Sequence, residues 1–354
     1  MIDSLNIENF KGIGKCYKDD LSRINLLIGR NNSCKSTILE AIYHTLCEFD
    51  GRSELAHLLG RRSNVYSGAQ ELWYRYATKE KIVLRFSLGD VNLGLNLLFD
   101  EPTSQIRSQI VAFDKKGPDE YIVDGNFFSR DFEATRRISF NFEYLGKKAE
   151  SIGQDIIDFV HGVELVESTS KNDIESIERV LGELKNKNRA KEFGDCLKAI
   201  FGVGENWEFV PHPNKPKEFR AAFFDRGVPL YLSGFGDGIR YAIQLITKLM
   251  LTKNSILLIE ELESNQHLES LKKLVPLLVR LSLENNIQVF ATTQSPVVWR
   301  LFEHEFDDDK KRSELFRAFH VKREPADSHL ELYQQTKENA NEFWMSVDKD
   351  LSGS

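Results

Sequence analysis

Ile24-Asn-Leu-Leu-Ile-Gly-Arg-Asn-Asn-Ser-Cys-Lys-Ser-Thr-Ile-Leu-Glu-Ala-Ile42 is the stretch on which the fold turns. It opens with Leu26-Leu27-Ile28, a short apolar run of the kind buried in a parallel sheet. Small and polar residues follow, and then Ile38, Ala41 and Ile42 fall on one helical face, with Leu46 close to it. Strand, polar loop and helix form the context in which G-x-x-x-x-G-K-[ST] means a phosphate-binding loop. Gly29, Lys35 and Ser36 match that pattern, and Cys34 replaces its second glycine. The chemistry is direct: N–H groups at a helix N-terminus point at an anion and the helix dipole adds to the attraction. Lys35 would reach the β- and γ-phosphates and the Ser36 hydroxyl would ligate Mg²⁺. A glycine is favoured where Cys34 stands, because a β-carbon at positive φ costs roughly 1–2 kcal/mol.

Outward from the loop, composition sets bounds. The 354 residues suffice for a full core and allow two domains; 41% hydrophobic and 29% charged residues fit a globular protein. A formal charge of −7 gives no net pull toward nucleic acid or anionic membrane. Short basic groups at Arg61-Arg62, Arg136-Arg137, Lys185 to Lys191 and Lys310 to Arg312 read as solvated faces. Cys16, Cys34, Cys47 and Cys196 show neither C-x-x-C pairing nor zinc-type histidine spacing, and read as reduced thiols. No signal-peptide pattern opens the chain and no apolar run approaches ~20 residues, so a cytoplasmic protein without a membrane span is expected.

Residues 2–8 alternate as an opening strand, and Asn9-Phe10-Lys11-Gly12 reads as a turn before the next strand at 24–28. The 49–80 stretch is mixed, with a Gly60-Arg61-Arg62 turn and an aromatic group at Trp73, Tyr74 and Tyr76 that predicts a packed helix face. Residues 81–86, 94–99, 109–113, 121–123 and 138–142 predict antiparallel strands between turn signals. From 151 to 200 the pattern is helical and charged, with Ile174, Ile177, Leu181 and Leu184 at helical spacing. Pro211 to Pro216 reads as a turn-rich connector, and 219–224 and 228–232 return to strand.

The second half supplies partners for the loop. Ser255-Ile-Leu-Leu-Ile-Glu-Glu261 is an apolar run ending in two carboxylates, at the end of a parallel strand where α/β folds bind ligands. After a P-loop it reads as a Walker B strand, with Glu260 on Mg²⁺ and Glu261 on the attacking water. Leu232-Ser-Gly-Phe-Gly-Asp-Gly-Ile-Arg240 opens a helix with apolar positions Ile239, Ala242, Ile243 and Ile246, and a glycine-rich helix start is a second anion site. Ile287-Gln-Val-Phe-Ala-Thr-Thr-Gln-Ser-Pro296 is a further buried strand, with Gln294 and Ser295 where a γ-phosphate sensor belongs.

In this order the four elements, with the opening Leu5-Asn-Ile-Glu-Asn-Phe-Lys-Gly-Ile13, resemble ABC-type ATPases of the SMC, RecF and OLD-like clade. The pattern is most similar to stand-alone OLD-related "AAA family" ATPases. The resemblance implies an α/β P-loop NTPase fold: an ABC-ATPase-like head with an antiparallel β subdomain and an inserted helical arm. Residues 1–145 and 206–354 would form the two parts of the head and 146–205 the arm. It further implies a homodimer that sandwiches ATP head-to-tail. Walker A falls on Gly29, Arg30, Asn31, Asn32, Ser33, Cys34, Lys35, Ser36 and Thr37, and Walker B on Glu260 and Glu261. The signature falls on Ser233 to Gly238, including Gly236 and Asp237, with Ser233 or Gly236 at its serine position. Gln294 takes the switch-histidine place, and Phe10 and Lys11 lie where the clade often contacts nucleotide. Cys34 for Gly, Glu260 for Asp, Leu262 for Pro and Gln294 for His point to slow hydrolysis. The expected function is an ATP-dependent, Mg²⁺-dependent switch acting on DNA or a partner effector, a nuclease or toxin, in DNA maintenance or phage defence. The alternative is a nucleotide-sensing scaffold with little or no turnover. The segment after Ser295-Pro296 is expected to be too short for a nuclease domain, and Asp307-Asp-Asp309 reads as a solvated loop.

Overall fold

The computed structural model describes residues 1–50, 69–101, 105–114, 120–128, 134–136, 154–212, 215–225, 227–306, 314–323 and 329–335. The chain opens with an antiparallel hairpin of β1 (Ser4–Phe10) and β2 (Ile13–Lys18). The tight turn is at Lys11-Gly12, the second half of the stretch read as a turn, while Asn9 and Phe10 belong to β1, and β2 is a strand the pattern did not reveal. After β3 (Ile24–Ile28) and α1 (Lys35–Phe49) come β4 (Ile82–Leu88), β5 (Val91–Asp100), β6 (Gln105–Asp114), β7 (Glu120–Phe128) and β8 (Ala134–Arg136). They join the hairpin in an antiparallel sheet of order β2-β1-β4-β5-β6-β7-β8. In β4 the alternation is visible directly: Ile82, Leu84, Phe86 and Leu88 point inward, with half-buried residues between them. The strand expected at 138–142, the turn at 60–62 and the Asp307 to Arg312 stretch lie outside the described residues.

The aromatic group at 73–76 is not a helix face. Two short 3₁₀ turns flank Trp73, which is buried, bridges Phe10 and donates from Nε1 to the Glu80 carbonyl (2.7 Å). Tyr74 is buried beside it, while Tyr76 is 64% exposed.

The second half begins with α2 (Gln154–His161), the short β9 (Glu164–Val166), α3 (Ile174–Asn186) and α4 (Ala190–Phe201). A three-stranded sheet follows, β10 (Trp207–His212), β11 (Lys215–Asp225) and β12 (Val228–Tyr231). The expected connector at 211–216 is therefore the end of a hairpin, with His212 registered on Lys215. Then come α5 (Asp237–Leu251), β13 (Ile256–Ile259), α6 (Leu268–Glu284), β14 (Gln288–Thr293), α7 (Pro296–Glu305), β15 (Phe316–Arg323) and β16 (Leu330–Gln334).

The central sheet has the order β16-β15-β3-β14-β13-β9, parallel but for β16. β3, β13 and β14 are buried at every position, which is why each reads as a continuous apolar run rather than an alternation. Their side chains divide between two cores. Leu27, Leu258 and Phe290 face α1, α2 and the antiparallel sheet, whereas Leu26, Ile28, Leu257, Ile259 and Val289 face α3 to α7. Two buried amides lock the entry to this sheet. Asn25 Nδ2 donates to the Ser22 and Val289 carbonyls, and Gln288 exchanges hydrogen bonds with the backbone of Ile2.

The segment expected to form an arm is helical where described except for the short β9, and it is built into this second core. Ile177, Leu181 and Leu184 of α3 and Phe193 and Leu197 of α4 are buried with Tyr241, Leu245 and Leu249 of α5. β9 adds an edge strand parallel to β13, and Lys248 Nζ of α5 reaches Glu164 Oε2 (2.7 Å).

Candidate functional site

Four elements bring their chemistry to the carboxyl ends of the central strands. The loop after β3 starts at Gly29, whose would-be Cβ lies 2.9 Å from the Val321 carbonyl and 2.7 Å from Ser33 Oγ. No side chain fits there. Asn32 (φ 64) and Cys34 (φ 67) take left-handed backbone, so Cys34 occupies the conformation for which glycine is the ordinary residue. Its thiol is accommodated by a glycine elsewhere: a Cβ on Gly12 would stand 2.6 Å from Cys34 Sγ. The backbone of a phosphate cradle is thus kept although its second glycine is gone.

Lys35 is buried at the start of α1 and donates from Nζ to the carbonyls of Gly29 (2.7 Å) and Arg30 (2.6 Å). Burial pulls its ammonium below the ordinary lysine pKa, while Glu263 and then Glu261 pull it back up. α1 carries no acid in its first turn, so its own side chains leave the positive end of the helix dipole uncompensated. Ser36 is half-buried in that turn, with Thr37 buried behind it. A triphosphate fits this donor set: backbone N–H groups, one buried ammonium and a hydroxyl.

The acids stand together at the carboxyl end of β13. Glu260 follows β13 directly, is buried, and donates its N–H to the Val166 carbonyl (2.8 Å). Glu261 has φ 50, a strained value for a non-glycine residue, with its N–H bound to Thr292 Oγ1 (2.9 Å). Among the described residues no three His, Cys, Asp or Glu side chains converge as a metal cage. Mg²⁺ is compatible with such a site, because it keeps several waters and takes one or two protein oxygens beside phosphate; Ser36 and Glu260 are the residues that would supply them.

Gln294 follows β14, registered beside β3 through Thr293 and Ile28, and is exposed. Its N–H is held by Glu263 Oε1 (2.8 Å), while Glu263 Oε2 accepts from Thr293 Oγ1 (2.7 Å). Glu263 is a site residue that sequence reasoning missed. It is also the first carboxylate acting on Lys35. The only sequence signal is its place two residues beyond the Glu-Glu pair.

Phe10 and Lys11 behave differently from each other. Phe10 is 1% exposed, so its ring belongs to the core and offers no stacking face. Lys11 pairs with Glu40 of α1 (2.8 Å), whose side chain is fully buried. A second missed residue, His320, is registered on Ile28. Burial, reinforced by Lys322, Arg30 and Lys35, depresses it to about 4, so it is neutral.

The signature segment opens α5, whose first turn adjoins the segment that follows β13. Leu232–Gly234 forms a 3₁₀ turn, Gly236 caps α5, and Ser233, Gly234 and Gly236 are exposed. Would-be Cβ atoms on Gly234 and Gly236 meet nothing within 4 Å, and Gly236 has an ordinary φ of −66. Gly238 is the opposite case, since a Cβ there would lie 2.3 Å from the Asn265 carbonyl. Asp237 is held by Arg240 (2.5 Å) and Lys171 (3.4 Å), and the hydrogen bond from Arg240 keeps its carboxyl below the usual range. No helix among the described residues is long and apolar enough to cross a membrane.

Comparison with known proteins gives the same architecture. The family model described as "AAA domain, putative AbiEii toxin, Type IV TA system" matches residues 114–299, more than half of the chain, and "AAA ATPase domain" matches residues 1–121. A curated relative from Helicobacter pylori, named "ATP/GTP phosphatase", is 22% identical over 83% of this chain and 85% of its own length. A Methanocaldococcus jannaschii protein, MJECL10, is 24% identical over 41% of this chain and 71% of its own. Among solved structures, an SMC head bound to the C-terminal winged-helix domain of ScpA superposes with TM-score 0.51 at 14% identity, covering 96% of this chain and 99% of that one. A Pyrococcus furiosus Smc head with an extended coiled coil, bound to the C-terminal domain of ScpA, gives TM-score 0.50 at 12% identity over 98% and 99%.

Proposed function

The chain belongs to this AAA-domain family of P-loop ATPases, and from that premise we propose that it is a slow ATP-driven switch whose protomers close head-to-tail around Mg-ATP. The observation that carries the reading is the loop Gly29–Thr37: a left-handed Cys34, accommodated by Gly12, presents Lys35 inside an intact cradle. In this proposal Lys35 binds the β- and γ-phosphates, Ser36 and Glu260 hold Mg²⁺ and Glu261 orients the attacking water. Gln294 senses the γ-phosphate, through a backbone set by Glu263. Ser233, Gly236 and Gly238 would meet the partner protomer's nucleotide. The exposed Gly234 and Gly236 support this, because among the described residues nothing stands within 4 Å of a Cβ at either position.

A glutamate in place of aspartate on Mg²⁺ and a glutamine in place of an imidazole as sensor support low turnover. The name of the Helicobacter relative supports hydrolysis and leaves both ATP and GTP as substrates. The thing switched is proposed to be a partner effector or DNA, and the toxin–antitoxin description of the family favours an effector. The test is turnover of ATP with Mg²⁺ by the wild type beside Lys35→Ala and Glu261→Gln. Loss of binding in the first and of hydrolysis alone in the second supports the switch. Binding without turnover in every variant, wild type included, favours a nucleotide-sensing scaffold, and ATP bound normally by Lys35→Ala contradicts the assignment of the loop.

A further inference from the structure

The backbone that carries the two acids is strained, and a hydroxyl from another functional element steadies it. Glu261 sits at φ 50, a value that a non-glycine residue keeps only when its surroundings over-determine it. Its N–H is bound by Thr292 Oγ1 (2.9 Å) and its carbonyl accepts from the Ser264 N–H (2.7 Å). The Glu260 carbonyl is reached by the Tyr241 hydroxyl (3.1 Å), which also stands 3.4 Å from the carbonyl of Glu261. One donor shared between consecutive carbonyls fixes how the two peptide planes are turned, and so where both carboxylates emerge.

Tyr241 is fully buried in the core that joins α5 to β13. Both atoms that face its hydroxyl are carbonyl oxygens, so the hydroxyl serves as a donor. Packing alone is served by phenylalanine, which fills the same volume. Tyr241 also belongs to the helix whose open, glycine-rich start lies one turn away. That start is itself tied to the segment following the acids. Gln266 Nε2 donates to the Gly238 carbonyl (2.7 Å), and Gly238 has no room for a Cβ against Asn265.

We infer that Tyr241 is a positioning residue that sets the Glu260–Glu261 pair and, together with Gln266, couples the first turn of α5 to the acids of the same protomer. The inference rests on the proposed head-to-tail switch. In a closed pair, α5 of one protomer meets its partner's nucleotide, so this link ties one nucleotide site to the other and makes turnover cooperative.

Tyr241→Phe tests it in the full chain. The expected result is a fall in kcat of about tenfold, the effect of one lost buried hydrogen bond to backbone, with KM for ATP within about twofold. A Hill coefficient above one in the wild type should fall toward one. The Mg²⁺ concentration for half-maximal ATP binding should rise about tenfold, with Mg²⁺-free binding unchanged. This last readout needs no turnover, so it judges the inference separately from the hydrolysis reading. Wild-type kcat and Mg²⁺ dependence in Tyr241→Phe overturn the inference. Parallel loss of kcat, KM and melting temperature also overturns it, because the tyrosine is then only structural. Gln266→Leu should lower the Hill coefficient while leaving Mg²⁺ dependence intact; an unchanged coefficient removes the coupling half of the claim.

Discussion

The two glycine-dependent stretches of this protein depart from their motifs in opposite directions. The phosphate loop has lost a glycine and kept the backbone that glycine would adopt: Cys34 stands at φ 67, and the space its thiol needs comes from Gly12. The start of α5 has kept Gly234 and Gly236, although Gly236 has ordinary dihedrals and neither would crowd its own chain with a Cβ. The first stretch therefore shows glycine as a local conformational requirement, met at a strain cost. The second shows glycine with no steric requirement among the described residues, the pattern that the proposed approach of a second protomer's nucleotide would call for. Gly238, a few residues on, does have a requirement inside the protomer, since a Cβ there would run into the Asn265 carbonyl.

The comparison can be broken most directly at Lys35. Lys35→Ala should weaken ATP binding by 100-fold or more, about 3 kcal/mol of charge-assisted contact, read by titration with a fluorescent ATP analogue. The ligand-free melting temperature should hold or rise, because a buried ammonium is removed. Gly234→Ala and Gly236→Ala sharpen the other side. Turnover should fall about tenfold or more, with stability within ~0.5 kcal/mol of wild type by urea denaturation. Gly238→Ala should instead destabilise the protomer by about 1–3 kcal/mol, since its Cβ meets backbone. If all three alanines behave alike, the distinction between local and external need collapses.

A smaller effect tests the compensation in the loop. Cys34→Gly should stabilise the protein by about 1 kcal/mol, and Gly12→Ala should cost more beside Cys34 than beside Gly at 34. A double-mutant cycle on melting stability should give a coupling of roughly 0.5–1 kcal/mol. The smallest expected effect concerns His320. Its folded pKa of about 4 lies below the unfolded histidine value, so the unfolded chain binds the proton first. Stability from this group is present above about pH 6.5 and lost as the pH falls toward 4. His320→Gln should flatten that fall by on the order of 1 kcal/mol after screening of a half-buried group. Equal acid sensitivity of the two proteins contradicts it.

How much of this was legible follows from where the information resides. β3, β13 and β14 were readable because strands buried on both faces carry runs of apolar residues without alternation, Leu26-Leu27-Ile28, Ile256 to Ile259 and Val289-Phe290-Ala291. Their polar ends then marked the site edge. The hairpin strand β2 was not, because Ile13 and Cys16 are its two buried positions and do not alternate. β9 has three residues and exists through pairing with β13, which no local pattern encodes. The helices of 174–201 were legible from their spacing, but their burial against α5 was not, since a charged amphipathic helix looks the same on an arm or in a core.

At the site, the P-loop residues and the Glu-Glu pair could be named because their chemistry is local to a motif. Glu263, His320, Tyr241 and the Lys11–Glu40 pair could not. Each takes its role from contacts across the fold, such as Tyr241 reaching Glu260 or Lys11 reaching a buried acid on α1. Sequence alone also could not separate Gly238 from Gly234 and Gly236. The difference is an oxygen of Asn265, on a loop brought over by β13.

The central claim is that ATP is held between two copies of the chain, and light scattering on Glu261→Gln at a fixed protein concentration addresses it most directly. With saturating Mg-ATP the expected mass is that of two chains, returning to one when Lys35→Ala is added to the same variant. A single-chain mass for Glu261→Gln with ATP demonstrably bound would contradict it.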